Sequence, residues 1–262
     1  MSFIKSVAQR PSLVLRHRNI FLLSHMRANT SLFGHLIGSH PWVEGYYEMH
    51  IGYYSWKSLW RQKLRHFANH DAKPDARYMF DKVLHDGHHV ATPILLRPET
   101  RTIFMLREPD QSIRSLIALY RQRNLQLPEA TPEGATSYYV GRLATLTELA
   151  RAIGPRYFYM DSECLISASG ESLASLSNWL GFDSPIPAEY GTFANTGRGK
   201  SGDHSARLRS GKIHAARSDY TEIQVPDALM QQAREAYATH RRTLSEGAEA
   251  RRVLDAPSAQ AA

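Results

Sequence analysis

Asn19-Ile20-Phe21-Leu22-Leu23-Ser24, running into His25-Met26-Arg27-Ala28-Asn29-Thr30-Ser31, is the stretch on which the fold of this chain turns. The first six residues are a short, continuous apolar run closed by a serine, which suits a strand buried on both faces in a parallel sheet. The polar loop after it opens a helix in which Leu32, Leu36 and Ile37 share one side, and Gly38 with Pro41 is expected to end that helix. The first unit therefore reads strand, loop, helix.

The same unit recurs downstream. Thr102 to Leu106 has a strand pattern that reaches Arg107, and Pro109 stands where a first-turn proline starts a helix expected through Tyr120. Thr136 to Ile153 carries Tyr139, Leu143, Leu146, Leu149 and Ile153 at helical spacing and closes at Gly154-Pro155. Tyr157 to Met160 reads as a strand, Ser172 to Leu180 as a helix capped by Gly181, and Asp227 to Leu244 as a last helix. Such alternation predicts an α/β fold of three layers, a central and mostly parallel sheet with helices on both faces, whose ligands bind beyond the carboxyl ends of the strands. Arg27 and Arg107 both fall there.

With 262 residues, 42% of them apolar, the chain can bury one sizeable core. The division expected is a basic arm over 1–17, a single domain over 18–246 and a fraying tail over 247–262. The net charge of +7 is concentrated in residues 1–18, with Lys5, Arg10, Arg16 and Arg18, and in residues 198–217, with six Lys or Arg against Asp203. Basic segments of this kind point to an anionic ligand. The single cysteine, Cys164, excludes an intramolecular disulfide framework and a multi-thiolate zinc site, and is expected to be an inert core residue. No run approaches the roughly 20 apolar residues of a membrane-spanning helix, so the cytoplasm is the expected location. His85, His88 and His89 lie near Asp81 and Asp86 but lack a zinc-site spacing, and no metal is expected.

The first loop offers the backbone N–H groups of Arg27, Ala28, Asn29, Thr30 and Ser31 at the positive end of a helix, with the Arg27 guanidinium and the Thr30 and Ser31 hydroxyls beside them. Such a loop can surround a phosphate, or Thr30 in it serves only to cap the helix, and the Gly-x-x-x-x-Gly-Lys-Ser/Thr triphosphate loop is absent. In Arg107-Glu108-Pro109-Asp110-Gln111-Ser112-Ile113-Arg114-Ser115 a strand-end arginine precedes a serine by eight positions, so that a guanidinium and a hydroxyl can reach one phosphate. Together these loops resemble those of sulfotransferases that use 3′-phosphoadenosine 5′-phosphosulfate (PAPS), especially the bacterial and carbohydrate-type members. The likeness continues through Tyr159 to Leu165 and Leu173 to Phe182, and so covers about residues 18–215.

The resemblance implies a P-loop-like sulfotransferase fold in which Arg27, Thr30 and Ser31 hold the 5′-phosphosulfate and Arg107 and Ser115 hold the 3′-phosphate. Gly202 to Ser205 and Arg209-Ser210-Gly211-Lys212-Ile213 are similar to the late loop that closes over the nucleotide, which makes Arg209, Gly211 and Lys212 donor contacts. Asn29 stands where the family has glycine, and asparagine tolerates the left-handed backbone better than most residues with a side chain. By the same resemblance Arg27 and Lys82 are the cations at the transferring group, and Glu48 is the first choice of base. His85, whose ordinary pKa lies near neutrality, is the second. The implied reaction passes a sulfuryl group from PAPS, without metal, to a hydroxyl of a glycan or glycolipid. A nucleotide-dependent kinase on a related scaffold, and a non-catalytic protein binding a nucleotide or polyanion, are the competing readings. Tyr46, Tyr47, Tyr53, Tyr54, Trp56 and Trp60 either present aromatic faces to an acceptor or belong to an amphipathic helix packed on the core.

Overall fold

The computed structural model describes residues 14, 16–193, 196, 206–215 and 218–254. At its centre the apolar run forms β1, Arg18–Ser24, flanked by β3, Tyr78–Val83, and β4, Thr100–Leu106. Outside these lie β2, Val43–Glu44, on one edge, and β5, Tyr157–Asp161, then β6, Ala250–Arg252, on the other. The order is β2-β3-β1-β4-β5-β6 and every pairing is parallel.

Alternation along these strands splits the core in two. Phe21, Leu23, Phe104, Leu106, Tyr157 and Tyr159 face one side, where α4, Pro109–Gln122, α5, Pro132–Ile153, and α9, Asp227–Glu246, cover them. Ile20, Leu22, Ile103, Met105, Phe158 and Met160 face the other, under α1, Thr30–Ser39, and α7, Ser169–Leu180. The remaining helices are α2, Trp56–Phe67, with the short α3, Thr92–Leu95, α6, Cys164–Ser167, and α8, Ala206–Arg209. The three layers expected from the sequence are present.

Several boundaries differ from expectation for identifiable reasons. Gly38 does not end α1, which runs to Ser39 with His40 as its cap; a Cβ at Gly38 would lie 2.6 Å from the Tyr46 Cβ, so the glycine serves close packing. Strand β3 has no clear signature in the sequence because Asp81-Lys82 interrupts its apolar run, although both side chains are buried. The stretch expected to fray from 247 instead builds β6 onto the edge of β5. It is held where Leu254 N–H donates to Asp161 Oδ2 at 2.9 Å and Arg241 donates to the Leu254 carbonyl at 2.8 Å. Gly154 and Gly181 cap α5 and α7 with φ of 64° and 70°, as their place in the sequence predicts. Cys164 is buried, and burial pushes its thiol up to about 11.

Candidate active site

Beyond the carboxyl end of β1 the backbone is left-handed at Arg27, φ 66°, and again at Asn29, φ 56°. This alternation turns neighbouring N–H groups to one side, the arrangement that receives an anion. Asn29 adopts the conformation that glycine would supply, caps α1 by accepting from Phe33 N–H at 3.0 Å, and tethers its carboxamide to Ser162 Oγ at 3.3 Å. Ala28 between them is fully buried.

The second loop meets the first through a buried histidine. His25 Nδ1 donates to the Met26 carbonyl at 2.8 Å, and its Nε2 accepts from Arg107 N–H at 3.0 Å, a pattern that only the neutral ring satisfies. Burial pushes its pKa down to about 3, with the nearby Arg107 and Arg142 charges acting in the same direction. Arg107 Nη1 donates to the Arg27 carbonyl at 3.0 Å, while Glu163 Oε1 stands 3.9 Å from Arg107 Nε. Arg27 Nε donates to Ser115 Oγ at 2.7 Å, and Ser115 donates to the Tyr220 hydroxyl at 3.1 Å. The Arg27 side chain thus lies with Ser115 of the second motif, although the resemblance had placed it with the first.

On the opposite flank, strand alternation separates Asp81 from Lys82. Lys82 points to the α1 side, where its Nζ donates to Ser31 Oγ at 3.1 Å. Asp81 points to the other side, accepts at Oδ1 from Met49 N–H at 3.0 Å and from Lys82 N–H at 2.8 Å, and receives the Tyr53 hydroxyl at Oδ2. Burial raises its pKa to about 7. These bonds pin Met49 to β3 and hold Glu48 beside it. Glu48 is buried, and its Oε1 lies 3.5 Å from His50 Nδ1 and 4.0 Å from His85 Nε2. Burial lowers the His85 pKa. The two residues read separately as bases are therefore neighbours.

No family model matches the chain, and no curated protein matches it in sequence. Solved structures do match. The sulfotransferase domain from the curacin biosynthetic pathway superposes with a TM-score of 0.62 at 15% identity, over 86% of this chain and 97% of that one. The sulfotransferase domain from the Synechococcus PCC 7002 olefin synthase gives 0.57 at 17% identity, over 85% and 95%. The fold is that of a sulfotransferase domain.

On this sulfotransferase fold, the late-loop residues Arg209, Gly211 and Lys212 lie at or just after the end of the short helix α8. Lys212 is exposed and pairs with Glu189 at 3.5 Å, and Gly211 takes a φ of 74° where its N-terminal neighbours leave α8. Arg209 is exposed at the end of α8, and Gly202 to Ser205 lie outside the described residues. Trp60 packs against the core as part of α2, whereas Trp56 is exposed. Among the described residues no group of three or more His, Cys, Asp or Glu side chains is arranged to hold a metal ion, and no helix is long and apolar enough to cross a membrane.

Sequence reasoning missed His25, Glu163, Tyr220 and Arg142. Arg142 is buried in α5 and donates to the Ser24 and Val83 carbonyls at 2.9 and 2.7 Å and to Asp86, so it ties the ends of β1 and β3 together. A signal existed for His25, a titratable residue just past the apolar run of β1. Tyr220 had none, since it reaches Ser115 across 105 residues.

Proposed function

We propose that the chain transfers a sulfuryl group from PAPS to an acceptor hydroxyl. The observation that carries this is the meeting of Arg27, Arg107 and Ser115, drawn from two loops 80 residues apart, beside the left-handed loop that opens α1 on a sulfotransferase fold. Arg107 and Ser115, with Arg27 and Tyr220 beside them, fit the 3′-phosphate; Ser31, Thr30 and the loop N–H groups fit the 5′-phosphosulfate.

In such a transfer the acceptor oxygen bonds to sulfur as the bond from sulfur to the bridging phosphate oxygen breaks, and the acceptor proton passes to a base. Negative charge then grows on the leaving phosphate. Lys82, held at Ser31 at the start of α1, supplies a cation where preorganised charge lowers that barrier. Glu48 is the base in this reading, because its buried Oε1 makes no hydrogen bond and lies beside the His50 and His85 rings. His85, kept neutral by burial, stands next in line to receive it. A glycan or glycolipid hydroxyl is the proposed acceptor. Arg209, Gly211 and Lys212 are proposed to reach the nucleotide from the late loop.

Calorimetric titration with 3′-phosphoadenosine 5′-phosphate, without metal and with ATP and AMP as controls, tests the donor site. We expect micromolar binding selective for the 3′-phosphate, weakened at least about tenfold by Arg107→Ala, roughly 1.4 kcal/mol. Glu48→Gln should leave that affinity unchanged and lower kcat with a hydroxyl acceptor. Absence of binding would overturn the reading, and Mg²⁺-dependent ATP turnover would replace it with the kinase.

A further inference from the structure

Residues 49–70 contain no Asp or Glu, yet they carry Lys57, Arg61, Lys63 and Arg65 within α2. The spacing places Lys57, Arg61, Leu64 and Arg65 on one side of the helix, and all four are exposed. Arg61 donates to the Gly52 carbonyl at 2.6 Å and Arg65 to the His50 carbonyl at 3.5 Å, so both guanidinium groups lie against neutral backbone acceptors and keep their positive charge. At the start of the same helix, Trp56 is 58% exposed and Tyr54 62% exposed, and Leu64 is 40% exposed farther along. Three of the seven large hydrophobic side chains exposed among the described residues thus fall within eleven positions. An acidic soluble polymer would match the cations but gives no reason to hold an indole, a phenol and a leucine in water beside them. A bilayer surface matches both: anionic headgroups attract the lysines and arginines, while tryptophan and tyrosine settle at headgroup depth.

We propose that α2, with Tyr54 just before it, docks this protein on an anionic membrane surface. The surface adjoins the proposed acceptor side, since Arg65 is bonded to the backbone of His50, whose ring stands 3.5 Å from Glu48. Docking there brings a lipid-borne hydroxyl toward Glu48, and this part alone rests on the sulfotransfer reading.

The test is sedimentation with phosphatidylcholine vesicles with and without about 30% phosphatidylserine, across a salt series, using the full chain. Wild type should bind the anionic vesicles, release with salt and ignore pure phosphatidylcholine. Trp56→Ala, and separately Lys57→Glu with Arg65→Glu, should each weaken binding by about tenfold or more while leaving affinity for 3′-phosphoadenosine 5′-phosphate unchanged. Unchanged circular dichroism and melting report the fold of the variants, and the nucleotide control separates failure of docking from failure of the donor site. Wild type that ignores anionic vesicles, including one that binds soluble polyglutamate instead, overturns the proposal. Vesicle binding that survives both sets of substitutions also overturns it, by placing the contact elsewhere on the chain.

Discussion

Two buried side chains, His25 and Asp81, bracket the candidate site with opposite responses to pH. The His25 pKa is near 3 in the folded chain against an ordinary 6.5, so the unfolded chain binds more protons between those values. Its contribution to stability is complete above pH 6.5 and is lost as pH falls toward 3. The Asp81 pKa is near 7 against an ordinary 3.8, so here the folded chain binds more protons. That contribution is complete below about pH 3.8 and is lost as pH rises through 7. Between pH 4 and 6.5 the two slopes oppose each other, each up to about 1.4 kcal/mol per pH unit. Relative to wild type, Asp81→Asn should therefore lose more stability on going from pH 7 to pH 5, and His25→Gln should lose less. Urea unfolding at the two pH values reads the difference, and parallel profiles for all three proteins would contradict it. At this scale the sequence disclosed residue types and their spacing, as with Arg107 and Ser115. It could not disclose that Ser115 binds Arg27, because that contact depends on where α4 lies against the first loop.

Helix α1 covers one face of the sheet and also abuts the segment that carries Glu48. Its closest approach is at Gly34, where an added Cβ would lie 2.1 Å from the Tyr46 carbonyl oxygen. Backbone cannot yield as a flexible side chain does, so Gly34→Ala must push α1 away from residues 45–46. A loss on the order of 1–3 kcal/mol in urea unfolding is expected, despite the better helix propensity of alanine. An unchanged or raised midpoint would show that the contact has slack. Elements with a strong period were legible in the sequence: β1, β4, β5 and the three long helices stand where the apolar runs put them, except that α5 starts at Pro132, four residues before Thr136. Strands β2 and β6, two and three residues long, are too short to carry a period, and they exist because neighbouring strands offer backbone partners.

Across the whole molecule, the chain's last described segment closes one edge of the sheet. Asp161 ends β5, takes a bidentate contact from Arg241 of α9 and accepts Leu254 N–H, so three distant segments converge on one carboxylate. A chain ending at Gly247 should lose β6 and this junction, expose the edge of β5 and melt lower by roughly 5 °C or more. One ending at Asp255 keeps both and should melt as the full chain does. Equal melting of the two by calorimetry would mean that β6 contributes little.

What the sequence determined by itself was local: alternating strand and helix, an anion loop without a triphosphate motif, and an arginine and a serine eight residues apart that pointed to the sulfotransferase fold. Those features follow from apolar periodicity and backbone preference, which act over a few residues. Tertiary structure alone decided the strand order, the opposed burial of Asp81 and Lys82, the bridging role of His25 and the adjacency of Glu48 to His85. Each of these depends on which segments become neighbours in a parallel sheet, where every crossover separates contacting residues by dozens of positions and no local pattern records the partner.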